Sequence, residues 1–222
     1  MFFYSALRSL LFYFDAEVAH KITINLLKTY KIKNNINHPS LNCDVFGLNF
    51  TNPVGLAAGF DKNSEVPNNI INLGFGFSEV GTVTPFPQKG NSKPRVFRLR
   101  NEDAIINRLG FNNEGFEAVK KRLCKRENNI IGVNIGANKN SEDFINDYLK
   151  GIKFFSSIAS YLTINISSPN TPGLRDFEAI DSFSSLLDKI DKLKINSSEI
   201  SLPILIKISP DINHNDLESL CE

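Results

Sequence analysis

The chain has 222 residues, 41% hydrophobic and 22% charged, with a formal net charge of +1. That length suits one domain with a substantial core plus a small appendage, and the near-neutral charge excludes the basic field that polynucleotide binding uses. Its three cysteines, Cys43, Cys124 and Cys221, are far apart and form no Cys-x-x-Cys pair, which argues for a reducing compartment and against a disulfide framework or a protein-bound metal.

The first fourteen residues are apolar but carry Arg8, and Asp15, Glu17 and His20 follow soon after. A spanning helix needs about 20 nearly uncharged residues and a secretory signal needs a small-residue cleavage site, so both are disfavoured. Apolar groups at Phe3, Leu7, Leu10, Leu11 and Phe14, then at Val18, Ile22, Leu26 and Leu27, predict two amphipathic helices with Asp15 as the N-cap between them. Such a pair either packs on its own protein or lies on a membrane surface. The aromatic enrichment at Phe2, Phe3, Tyr4, Phe12, Tyr13 and Phe14 leans toward the membrane.

The polar stretch from Lys33 to His38, with Pro39 behind it, reads as a linker. It divides a helical region, residues 1–38, from a body, residues 39–222. In the body, β-branched apolar runs at 54–58, 77–83, 130–135, 161–166 and 204–208 read as buried parallel strands. Helical segments at 65–73, 113–125, 141–159 and 180–193 separate them, and another begins at 213.

This β-α alternation fits a doubly wound sheet or a barrel. Gly55-Leu-Ala-Ala-Gly59 lacks the Gly-x-Gly-x-x-Gly dinucleotide loop, so the predicted fold class is α/β, a (β/α)8 TIM barrel with a small N-terminal helical domain. With about five strands visible, that barrel is expected to be truncated, about three β-α units short of closure.

Barrel chemistry gathers at the C-terminal strand ends, and each one here is polar: Asp61 and Lys62, Thr82 and Thr84, Asn134, the loop Asn165-Ile-Ser-Ser-Pro-Asn170, and Lys207. The loop holds no His or carboxylate to activate a serine, so triad-type acyl transfer fits poorly. Asparagines suit an amide-bearing heterocycle or a carboxylate, and two lysines favour a carboxylate or an electron-rich ring. Lys207 could snorkel to solvent, but its place in Ile-Leu-Ile-Lys-Ile predicts burial in the lumen or the helix layer, where only a ligand would partner it.

Seven ordered segments resemble the motifs of class 2 dihydroorotate dehydrogenases: Gly55-Leu-Ala-Ala-Gly-Phe-Asp-Lys62, Glu79-Val-Gly-Thr-Val-Thr-Pro85, Lys93-Pro-Arg-Val-Phe-Arg-Leu99, Ile106-Asn-Arg-Leu-Gly-Phe-Asn-Asn113, Gly132-Val-Asn-Ile-Gly136, Asn165-Ile-Ser-Ser-Pro-Asn-Thr-Pro-Gly-Leu-Arg175 and Lys207-Ile-Ser-Pro-Asp211. The resemblance implies oxidation of dihydroorotate to orotate in pyrimidine synthesis, with hydride passing to FMN and electrons on to a quinone. It implies Ser168 as the base, with Phe111 and Thr171 at a water relay behind it. Lys62, Asn107, Asn165 and Asn170, with the backbone of Arg108, Leu109, Gly110 and Phe111, would hold the substrate. Ala58, Gly59, Phe60, Asp61, Lys62, Thr82, Asn134, Asn165 and Lys207 would hold FMN.

Class 1 relatives, which use fumarate or NAD, resemble this chain in the barrel but carry cysteine where Ser168 stands and lack the N-terminal helices. By the same match His20 and Arg98 are candidates for a quinone site, although His20 fits a surface position equally well. The resemblance implies peripheral association with the cytoplasmic face of a cell membrane. The expected truncation leaves an inactive fragment as the other reading.

Overall fold

The computed structural model describes residues 8–29, 38–170, 180–197 and 200–221. Residues 8–11 are helical and lead to α1 (Ala16–Thr29), where Asp15 Oδ1 accepts the Glu17 and Val18 N–H groups at 2.9 and 3.2 Å. The cap predicted from sequence is therefore present.

The body opens with an antiparallel hairpin, β1 (Cys43–Val45) and β2 (Leu48–Phe50). Then come β3 (Gly55–Leu56), α2 (Pro67–Ile71), β4 (Phe77–Val83), a second hairpin of β5 (Val96–Leu99) and β6 (Ala104–Asn107), and α3 (Gly115–Leu123). The last elements are β7 (Ile131–Ile135), α4 (Phe144–Phe155), β8 (Tyr161–Asn165), α5 (Ile180–Ile195), β9 (Ile204–Lys207) and α6 (His214–Cys221). Strands β3, β4, β7, β8 and β9 pair in that order, all parallel, as an open segment of a β/α barrel.

The two faces of this sheet differ in kind. Ile131, Val133 and Ile135 of β7 and Leu162 and Ile164 of β8 are fully buried against Phe116, Val119, Ile152 and Phe155 of the helices. Each such side chain contributes about 1.5–3 kcal/mol of burial, so this outer face carries the main core. The alternate residues, Glu79, Asn134, Thr163 and Asn165, point to the other side and meet one another by hydrogen bonds. A smaller cluster of Ile24, Val66 and Ile70 seats α1 on the body.

Two differences from the sequence-based expectation concern backbone. Both hairpins escaped prediction, because β1 and β2 are three residues each and join through Phe46-Gly47, with φ of 52° and 77°. Positive φ at both loop positions is the geometry for which Asn-Gly is the usual signal, and Phe-Gly does not announce it. The first strand shrinks from 54–58 to Gly55–Leu56, since it is an edge strand that turns away at Ala57 toward Gly59.

Two more concern side chains. The buried stripe of α1 is Ala19 and Ile24, while Val18 and Leu26, predicted on the apolar face, are exposed. Polar anchors set that rotation: Glu17 and His20 both reach the body, as described below. Lys207 is exposed rather than buried, because β9 is the other edge strand of the described sheet. Thr171 and the residues preceding Arg8 lie outside the described residues.

Candidate active site

A cleft of about 440 Å³ opens at the C-terminal ends of the strands. It gathers most of the residues singled out from sequence: Ala58, Gly59 and Lys62 after β3, Thr82 on β4, Asn107 at the end of β6 with Leu109, Gly110 and Phe111 after it, Asn134 on β7, Asn165 at the end of β8 with Ser168 and Asn170 after it, and Lys207 on β9. Asp61 is not among them. It is buried, and its two carboxylate oxygens accept the Glu65 and Val66 N–H groups at 2.7 and 2.8 Å, so it braces the loop before α2. Burial raises its pKa. Phe60 turns to the opposite side, against His20, and the Arg108 side chain binds the Pro94 carbonyl at 2.9 Å.

The pleat would have sent Thr82 into the helix layer. A register shift between Val80 and Val83 re-aims it into the cleft. Gly81, at φ +112°, makes that turn, and a Cβ on it would lie 2.4 Å from the Asn134 carbonyl oxygen. Its peptide is clamped by Gly59 N–H donating to Gly81 O at 2.8 Å and Gly81 N–H donating to Asp61 O at 3.1 Å.

The cleft floor is one connected set of hydrogen bonds. Lys207 Nζ donates to Ser167 Oγ (2.9 Å), which donates to Asn165 Oδ1 (3.0 Å). Asn165 Nδ2 donates to Thr82 Oγ1 (3.0 Å), Thr82 Oγ1 donates to Asn134 Oδ1 (2.6 Å), and Asn134 Nδ2 donates to Glu79 Oε1 (2.8 Å). Glu79 was not singled out from sequence, and Ser167 only as one of the polar residues of the loop after the fourth strand. A lone carboxylate at an inward position of an otherwise apolar strand was the available signal for Glu79.

Above the floor, Ser168 Oγ accepts the Asn170 N–H at 3.3 Å. The facing loop 108–111 is held from behind. Its carbonyls accept from Asn91 Nδ2 (Arg108), Asn91 N–H (Leu109), Gln88 Nε2 (Gly110) and Asn113 Nδ2 (Phe111), at 2.7–3.0 Å. Phe111 sits at φ +52°, a conformation a bulky side chain adopts only when its surroundings impose it. Lys62 Nζ donates to the Gly59 carbonyl, and burial lowers its pKa.

A second cavity, about 850 Å³, lies between α1 and the body, and Gly59, Lys62 and Leu109 line both it and the cleft. His20 and Arg98 are both at this second cavity. His20 Nε2 meets the Phe60 carbonyl oxygen at 2.7 Å, so Nε2 carries the proton. Arg98 donates to the Phe14 carbonyl at 2.8 Å and lies 4.6 Å over the Phe12 ring. The roof is anchored by Glu17, which receives Arg95 through two nitrogens at 2.8–3.1 Å and is thereby held below the usual carboxylate pKa range. Leu10 and Tyr13, 57% and 88% exposed, lie in the chain just before that roof. Among the described residues, no helix is long and apolar enough to cross a membrane.

Comparison with known proteins points one way. A family model described as dihydroorotate dehydrogenase matches residues 40–221. A dihydroorotate dehydrogenase (quinone) of Brucella anthropi is 50% identical over 219 residues, covering 96% of this chain and 60% of that protein. The mitochondrial dihydroorotate dehydrogenase (quinone) of Cyclocybe aegerita is 49% identical, covering 96% and 67%. Among solved structures, that of DHODH from Eimeria tenella in complex with ferulenol superposes with a TM-score of 0.86 at 38% identity, covering 93% of this chain and 62% of that one. The chain thus spans about 60% of the length of the first curated relative it matches.

Proposed function

Since the chain belongs to the dihydroorotate dehydrogenase family, we propose that it carries the FMN- and substrate-binding half of a quinone-dependent enzyme that oxidises dihydroorotate to orotate. The observation that carries this reading is the convergence of Lys62, Asn107, Asn165, Ser168, Asn170 and Lys207 on one cleft. FMN fits the donors there: Asn134 and Lys207 would meet the acceptor-rich edge of its ring, with Thr82 and Asn165, whose own donors are engaged in the cleft floor, lying against it, and when bound it supplies the two-electron acceptor for the substrate's hydride.

In this reading Lys62 holds the substrate carboxylate. Burial lowers its pKa, and a substrate carboxylate is the counter-charge that keeps it protonated. Asn107, Asn165 and Asn170 address the ring amides. The carbonyls of 108–111 are engaged on the far side, and since the Arg108 and Leu109 N–H groups donate to the Arg95 carbonyl and Asn107 Oδ1, those of Gly110 and Phe111 are the ones left for the ligand. Ser168 Oγ takes the proton from the carbon beside the one that gives up hydride while its own hydroxyl proton passes onward, so no net charge stays on that oxygen, and the Asn170 N–H holds it in place. Phe111 and Thr171 would flank the path by which the proton leaves.

Residues 1–38 form the quinone-access region and residues 39–222 the FMN-binding body. The cavity with His20 and Arg98, sharing a wall with the cleft, is the quinone site, and the exposed Leu10, Tyr13, Phe14 and Val18 support seating on a membrane surface. Ser168 and the names of the relatives favour quinone over fumarate or NAD.

Dihydroorotate-driven bleaching of flavin absorbance tests the proposal. Ser168→Ala should slow bleaching by about 10²–10⁴-fold while FMN stays bound. Bleaching at the wild-type rate would remove Ser168 as the base.

A further inference from the structure

Glu79 lies at the bottom of the cleft and belongs to none of the roles above. Its carboxylate accepts three side-chain donors: Asn134 Nδ2 at 2.8 Å on Oε1, with Tyr161 OH at 3.1 Å and Thr163 Oγ1 at 2.9 Å on Oε2. The Tyr161 hydroxyl is fixed as a donor, since burial and the neighbouring Glu79 both raise its pKa. Glu79 is therefore the sink of the hydrogen-bond chain that begins at Lys207.

The two ends of that chain are chemically one-directional. An ammonium can only donate and an ionised carboxylate can only accept, whereas amides and hydroxyls can do either. With Glu79 accepting, Asn134 must turn Nδ2 downward and Oδ1 upward. Thr82 must then donate to Asn134 Oδ1, which leaves its own oxygen to accept from Asn165 Nδ2. Asn165 Oδ1 then faces Ser167, where it accepts both the backbone N–H at 3.2 Å and the hydroxyl, so this amide is held from both ends, and Ser167 Oγ accepts from Lys207.

We propose that Glu79 is a positioning residue that sets, from below, the direction of the hydrogen bonds linking Asn134, Thr82 and Asn165 in the cleft floor, so that the strand ends offer the ligand donors rather than acceptors. What remains unspent is the second N–H of Asn134 and two N–H groups of Lys207. Together with Lys62 they select an acceptor-rich, electron-rich ring or a carboxylate. The inference rests on the reading of this cleft as the flavin and substrate site, and it names how that site's polarity is fixed.

The test uses the 222-residue protein labelled with ¹⁵N at asparagine, reading the side-chain NH₂ signals of Asn134 and Asn165. Glu79→Gln keeps the shape but can donate, so both pairs should shift. Glu79→Asp keeps the charge but retreats from Asn134, and should also move the Asn165 pair, which serves if the first variant does not fold. The double variant Tyr161→Phe/Thr163→Val keeps the carboxylate and should leave the Asn165 pair nearly in place. An Asn165 pair that ignores both Glu79 variants, or that moves as far in the double variant, overturns the proposal. In parallel, FMN titrated into the same proteins should bind about tenfold more weakly to Glu79→Gln than to wild type. Equal affinity would overturn the claimed effect on the ligand. A wild-type chain that does not bind FMN would count against the flavin reading alone, while the asparagine signals still decide the role of Glu79.

Discussion

The cleft at the strand ends and the cavity beneath α1 share Gly59, Lys62 and Leu109 as a wall, yet they are held together by different means. The polar atoms of the cleft floor stand on adjacent hydrogen-bonded strands or just past their ends, and each is fixed by the next. The cavity's roof is a separate helix attached by a few side chains: Glu17 to Arg95, His20 to the Phe60 carbonyl and Lys28 to Glu65. On the proposed reading, chemistry that needs fixed geometry would be supported by the sheet, and access would fall to the separately anchored helix. The link between the two is Arg95, which holds Glu17 on one side and donates to the Asn91 carbonyl at 2.9 Å on the other, while Asn91 in turn grips Arg108 and Leu109.

The strongest way to break the contrast is Gly81→Ala. A Cβ there would meet Asn134 O at 2.4 Å with φ at +112°, so the bulge that aims Thr82 should be lost at a cost of about 3 kcal/mol. Urea unfolding checks this, and a loss below about 0.5 kcal/mol would mean that the cleft is not rigid in the way described. Next is Glu17→Gln, which leaves the buried Arg95 without its counter-charge and should cost about 2 kcal/mol. Protease cleavage in α1 should rise while the sheet stays protected.

That ion pair also carries a pH signature. The folded pKa of Glu17 lies below its ordinary 4.5, so its contribution is present above that value and is lost as pH falls through the lowered one. Glu17→Gln should flatten the acid limb of stability. A smaller effect separates the two regions by function: His20→Ala should slow flavin reoxidation by quinone about tenfold. Reduction by dihydroorotate should be unchanged. Equal slowing of both half-reactions would deny the cavity a separate role.

The sheet was legible in the sequence because buried parallel strands are continuous runs of β-branched residues, and all five predicted strands are present. The cleft was legible for the same reason. A barrel puts its strand ends together, so Lys62, Thr82, Asn134, Asn165 and Lys207 could be assembled from order alone. What escaped depends on three-dimensional partners. The Phe46-Gly47 turn carries no propensity signal, and the rotation of α1 is decided by Arg95 and the Phe60 carbonyl, residues far away in the chain. Glu79 looked like an ordinary strand residue until Asn134, Tyr161 and Thr163 from two other strands were seen to converge on it. Lys207 was predicted buried because periodicity cannot say which strand lies at an edge.

The smallest expected effect sharpens the contrast through two carboxylates of opposite slope. Asp61 lies in the loop that forms the cleft's rim and Glu17 in the helix that roofs the cavity. Burial raises the pKa of Asp61 above its ordinary 3.8, so the folded state takes up a proton before the unfolded one does. Its stabilising contribution is therefore fully present below 3.8 and fades as pH rises through the raised value. Glu17 runs the other way. Asp61→Asn keeps one acceptor for the Glu65 and Val66 N–H groups and removes the buried charge, two changes that nearly cancel at neutral pH, leaving a difference of about 1 kcal/mol or less. As pH is lowered toward 4 the wild type should gain on the variant, because only the wild type can protonate at that site. Urea midpoints of the two proteins across pH 4–7 should therefore draw apart in acid in favour of wild type. A gap of constant size would mean that Asp61 stays ionised in the folded loop, held by its two N–H donors against the burial.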